Sequence, residues 1–235
     1  PAAINPLLTL TDPDNTSLAS ATATISAGLS VAEDVLSFVN NNATQFGNIT
    51  ASFNAGTLTL SSSGASATLL QFQNALRAVT YANSSENPST AARTVSFSVN
   101  DGSLNSNTTN STITIARIND APVLAAGTPS LTAINEDDTN SVGTTVADLV
   151  INGSITDPDG SPIEAIYVSG LDSANGSWAF KLSGQSSWNP LSIPSNQALL
   201  LDSNDAIRFL PNTNFNGNAT LNFGAWDKTT GTSGT

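Results

Sequence analysis

Eighteen carboxylate side chains face six basic ones in this 235-residue chain, and many of the acids fall in short clusters. Thr11-Asp12-Pro13-Asp14-Asn15 returns as Thr156-Asp157-Pro158-Asp159-Gly160, and Arg117-Ile118-Asn119-Asp120-Ala121-Pro122-Val123 lies between the two copies. Carboxylates crowded together repel unless a cation neutralises them. Hard oxygen ligands carried on short loops suit Ca²⁺, which accepts carboxylate, amide and backbone carbonyl oxygens together. A Pro after Asp fixes φ and reduces the entropy lost when the loop orders. Asp and Pro also favour turns without any metal, and Asp101-Gly102 is equally a hairpin signal. The recurrence of the motif, together with the acids between its copies, favours calcium.

The rest of the composition narrows the chemistry. Without Cys there are no disulfides, zinc thiolate sites or thiol nucleophiles, and without His the usual general base and the Ser-His-Asp triad are missing. Asp202 and Asp205 form a close acidic pair, but no basic group converges on them in the sequence, and a solvated loop is expected there. No enzymatic activity is expected. The net charge of −12, with Arg77, Arg93, Arg117, Lys181, Arg208 and Lys228 scattered, excludes a phosphate-backbone binder and disfavours anionic membrane surfaces. No run of about twenty apolar residues is present, so direct membrane insertion is not expected. Trp178, Trp188 and Trp226 could form a sugar-stacking platform, although Trp in a small sandwich is more often core.

Short elements must position these acids. Leu58-Thr59-Leu60, Thr94 to Val99, Ser111 to Ile115, Ala206 to Leu210 and Ala219 to Phe223 alternate apolar and polar residues as half-buried strands do. Turn signals separate them: Asn-Gly at 152, 175 and 216, and Asp-Gly at 101 and 159. Many short strands punctuated in this way predict antiparallel sandwiches. One stretch differs. Over 67–79, Leu69, Phe72, Leu76 and Val79 fall on one helical face, which predicts a short helix closing one end of the first sandwich, with Ser66 as its N-cap.

The repeat sets the domains. Asp12 to Asp157 spans 145 positions, whereas Val99-Asn100-Asp101-Gly102 matches Ala225-Trp226-Asp227-Lys228 at an offset of 126. The first copy therefore carries about 19 extra residues, in the interval that holds the helical stretch. Two subtypes of one architecture joined near 116–122 are expected. The chain opens and closes in repeat-like sequence, as expected for a piece of something longer.

These motifs resemble tandem cadherin-like repeats of large bacterial surface proteins and adhesins. Asn119-Asp120-Ala121-Pro122 is similar to the calcium motif between repeats, and Asn135-Glu136-Asp137 to the glutamate motif on a repeat's first strand. Asp157-Pro158-Asp159 matches the Asp-x-Asp motif, Asp227 the later aspartate, and Glu86 the glutamate that precedes it in the repeat before. The second repeat departs from the pattern, with Asn214-Phe215-Asn216-Gly217 where a third glutamate belongs.

The resemblance implies an all-β chain of two tandem cadherin-like or Ig-like Greek-key β-sandwich domains, the first with a short helix. They are a repeat over 1–118, truncated at its N-terminus, and one over 119–235, truncated at its C-terminus. It implies a Ca²⁺ site drawing on Glu86, Asn119, Asp120, Asp157, Asp159 and Asp227. Asp12, Asp14 and Asp101 form the equivalent half-site of the first repeat, and Glu136 serves a following junction. The implied role is a calcium-stiffened structural or adhesion module, secreted or at the cell surface, with neighbouring repeats of the same polypeptide as partners and homophilic contacts possible. Alternatives are a filament or surface-layer subunit assembling through strand edges, and a carbohydrate-binding module using the tryptophans.

Overall fold

The computed structural model describes residues 2–127, 129–150, 154–160 and 164–235. The Asn-Gly turn signal at 152 lies outside the described residues. Two compact units, Pro1–Ile118 and Asn119–Thr235, divide the chain, and both are antiparallel β-structures built on their own cores.

In the first unit the elements run β1 (Ser20–Ala27), β2 (Asp34–Ser37), α1 (Ala43–Phe46), β3 (Ile49–Asn54), β4 (Thr57–Ser62), α2 (Leu69–Arg77), β5 (Thr80–Asn83), β6 (Arg93–Asn100) and β7 (Thr109–Ile113). A five-stranded sheet of order β3-β4-β1-β6-β7 and a β2-β5 ribbon enclose the core. Period-two alternation turns Ala21, Ala23 and Ile25 of β1, Leu58 and Leu60 of β4, and Val95 and Phe97 of β6 inward. The β3–β4 hairpin turns on Ala55 and Gly56, both at positive φ (46° and 83°), as a two-residue primed turn requires.

Helix α2 buries Phe72, Ala75 and Leu76, with Leu69 packed against the core and Val79 buried just beyond its end. Its N-cap is Thr68 rather than Ser66. The Thr68 hydroxyl accepts from Gln71 N at 3.2 Å, and the Gln71 side chain accepts from Thr68 N at 2.9 Å, a reciprocal capping box. Ser66 is held instead in the preceding turn, where its hydroxyl donates to Ser63 O.

The second unit contains β8 (Val123–Leu124), β9 (Thr144–Thr145), α3 (Val146–Val150), β10 (Ile155–Thr156), β11 (Ile166–Leu171), β12 (Gly176–Lys181), β13 (Asn189–Leu191), β14 (Leu199–Leu201), β15 (Ala206–Pro211) and β16 (Leu221–Ala225). They form sheets of order β14-β11-β16 and β13-β12-β15-β9 and a β10-β8 ribbon. Ile166, Val168, Trp178, Leu201 and Ile207 anchor the core. Strand β11 lies between β14 and β16 as β1 lies between β4 and β6, so the internal repeat extends to strand pairing. Helix α3 has no signal in the sequence reading. It is a single turn whose Val146, Leu149 and Val150 all point into the core.

The tryptophans do not form a platform. Trp178 and Trp226 are buried, each donating its indole N–H to a backbone carbonyl, Asp172 O and Thr230 O. Half-buried Trp188 lies against Lys181 and Arg208, whose cations sit 5.1 and 4.3 Å from its ring.

Candidate metal centre

Each Asp-Pro-Asp segment folds into an Asx turn in which the first carboxylate accepts the backbone N–H of the second. Asp14 N donates to Asp12 Oδ1 at 3.2 Å, and Asp159 N donates to Asp157 Oδ1 at 2.8 Å. Each turn leads toward the strand that pairs with the one just before the late aspartate: β1 with β6, and β11 with β16. Pairing across the sheet thus brings residues remote in sequence to one pole of each unit.

In the first unit Asn15 Nδ2 bridges to Asp101 Oδ2 at 3.3 Å. The other Asp101 oxygen accepts Ser103 N and Leu104 N at 2.7 and 2.8 Å, with Gly102 at φ 109° between them. In the second unit Asn119 Nδ2 donates to Asp227 Oδ2 at 2.7 Å. Asp227 Oδ1 accepts the Thr229 N–H and hydroxyl at 3.0 and 2.8 Å, and Lys228 takes the positive φ of 61°. In both units the late aspartate accepts the N–H two residues on, across a residue at positive φ, and takes an Asn side-chain amide on its other oxygen, although the Asn comes from different segments.

The charges respond to this wiring. The N–H groups of Asn15 and Asp14 hold Asp12 below its ordinary value, whereas the hydrogen bond with Asp12 and its charge push Asp14 up, with Asp101 adding repulsion. Asp101 is lowered by the N–H groups of Leu104 and Ser103, and Asp227 by the Asn119 amide and then Thr229 N.

Asp159 is wired differently. Its Oδ2 accepts Asp120 N at 2.5 Å, but its Oδ1 is shut off from solvent and has no hydrogen-bond partner among the described residues. An anionic oxygen withdrawn from water without a donor is costly, and a cation is the ligand that would satisfy it. The residues linked to it by hydrogen bonds, Asp120 and Asp157, and the Asn119–Asp227 pair beside Asp120, carry carboxylate and amide oxygens of the kind calcium accepts. The structure therefore brings Asn119, Asp120, Asp157, Asp159 and Asp227 to one pole of the second unit, and Asp12, Asp14 and Asp101 to the equivalent pole of the first. Among the described residues, no three His, Cys, Asp or Glu side chains converge closely enough to hold a metal on their own. The acids instead engage amide donors.

Glu86 is exposed in the connection between β5 and β6, within the first unit. Glu136 is not on a strand. Asn135, Glu136, Asp137 and Asp138 form a turn in which Asp138 N donates to Asn135 O and Asp137 adopts φ 64°, incompatible with extended pairing. Asp137 Oδ1 accepts Asn214 N at 2.8 Å, so this turn sits beside the Asn214–Gly217 segment that stands in for the third glutamate.

Asp205 is not in a solvated loop. It is buried, accepting from Ser183 N and Asp202 N at 2.7 Å each and from the Ser233 hydroxyl, while Asp202 pairs with Lys228 on the surface. Both of its oxygens are committed to holding loops, which leaves none for acid–base work. Sequence reading also missed the fully buried ion pair of Asp34 and Arg93 at 3.0 Å, joined by Tyr81 and Asn83. The available signal was Arg93 occupying the inward phase of Arg93-Thr94-Val95-Ser96-Phe97.

No family model, curated protein or solved structure matched the chain.

Proposed function

We propose that the chain is a calcium-binding structural module of an extracellular surface protein, in which Ca²⁺ held by Asn119, Asp120, Asp157, Asp159 and Asp227 stiffens a tandem array. The cadherin-like resemblance adds Glu86 as a ligand from the preceding repeat. The observation that carries the reading is the solvent-free Oδ1 of Asp159, which has no hydrogen-bond donor among the described residues, in a residue hydrogen-bonded to both Asp120 and Asp157. The equivalent pole of the first unit has no such orphaned oxygen among its described acids and is the weaker site.

A ligand that binds only the folded state stabilises it by about 2.7 kcal/mol when its concentration is about 100 times Kd. Calorimetry in millimolar Ca²⁺ is expected to show a melting temperature several degrees above that in excess chelator. Identical melting curves in the two buffers would sink the proposal.

A further inference from the structure

The two units treat one strand edge differently. At the offset of 126 that aligns Asp101 with Asp227, Val95 and Phe97 of β6 correspond to Leu221 and Phe223 of β16. Strand β6 is hydrogen-bonded on both sides, by β1 and by β7. Strand β16 is paired by β11, the counterpart of β1, and among the described residues no strand pairs with its other edge. Burial follows the pairing: Val95 and Phe97 are 0% and 2% exposed, whereas Leu221 and Phe223 are only half-buried.

An open groove of about 660 Å³ lies alongside β16, lined by Leu221, Asn222 and Phe223 together with Leu124, Ala125 and Pro129. Among the described residues no charged side chain lines it. Strand β7, which covers the matching edge of the first unit, reads Thr109-Asn110-Ser111-Thr112-Ile113. It too is uncharged, and its Ile113 packs on the core. An unpaired edge beside an apolar trough has the two parts of a strand-addition site: main-chain groups for affinity and a pocket for alternate side chains.

We propose that the free edge of β16 is a docking site for one added β-strand, delivered from outside these 235 residues and antiparallel to β16 as β7 is to β6. Its occupant is an extended, uncharged segment that alternates aliphatic with hydroxyl or amide side chains. The inference is independent of the calcium reading.

The test titrates a synthetic peptide of residues 107–116 into the intact chain, in millimolar calcium and again in chelator. The expected result is saturable one-to-one binding with slowed amide exchange at residues 221–225. Peptides carrying Ser111→Pro or Thr112→Pro remove ladder donors of opposite direction, so at least one should bind tenfold or more weakly. Absence of saturable binding in both buffers would overturn the proposal, as would binding that leaves exchange at 221–225 unchanged or that neither proline weakens. Dimerisation of the peptide-free chain with protection at 221–225 would also overturn it, because a second copy would then be the occupant.

Discussion

Arg93 is the largest side chain in the molecule taken wholly out of water, and its ionic partner Asp34 lies 59 residues earlier in the chain. Burial opposes ionisation of Asp34, but the Ser30 N–H, the Tyr81 hydroxyl, Arg93 and Asn83 outweigh it and hold the carboxyl below its ordinary value. The stability this group contributes is therefore complete above the unfolded carboxyl value of 3.8 and is lost as pH falls through the lower folded value. Arg93→Met strands a buried charge, and urea unfolding at neutral pH is expected to show a loss of about 3–5 kcal/mol. At this scale the sequence was partly legible. The alternation of 94–99, carried back one residue, puts Arg93 on the inward face, a signal the reading left unused, and nothing local identifies Asp34 as its partner, because the pairing spans two sheets. Asp205 was misjudged for a related reason: besides the local Asp202 N–H, its donors are backbone and hydroxyl groups from residues 22 and 28 positions away.

At the scale of the element, helix α2 was the most legible feature, since four apolar residues at helical spacing have one reading in a β-rich chain. Its start was displaced by two residues because Ser66 and Thr68 are both good caps, and only Thr68 has a Gln three positions later. Thr68→Ala is expected to lower stability by about 1 kcal/mol in the same urea measurement, whereas Ser66→Ala leaves the capping box intact and should cost less. The strictly alternating strands β4 and β6 appear where the pattern put them, as does β15, whose alternation is looser. Helix α3 was not legible: a single turn contains too few residues to show a period, and its position is fixed by tertiary burial. The Glu136 turn was hidden for the opposite reason, since a family motif suggested a strand where Asp137 is bent to positive φ.

At the scale of the whole molecule, recurrence was the decisive signal. The offsets of 145 and 126 predicted two subtypes of one architecture, and in the structure β11 pairs with β16 as β1 does with β6, with a residue at positive φ after each of Asp101 and Asp227. What recurrence alone could not supply was the difference between the poles, which rests on one oxygen of Asp159. Metal analysis after equilibrium dialysis of the purified chain against calcium, with Asp159→Asn dialysed alongside, tests the calcium reading most directly. Saturable calcium on the native chain, sharply reduced in Asp159→Asn while the variant stays folded by circular dichroism, is the result expected. No calcium above the chelator-treated control, or equal loading of the two proteins, would contradict it.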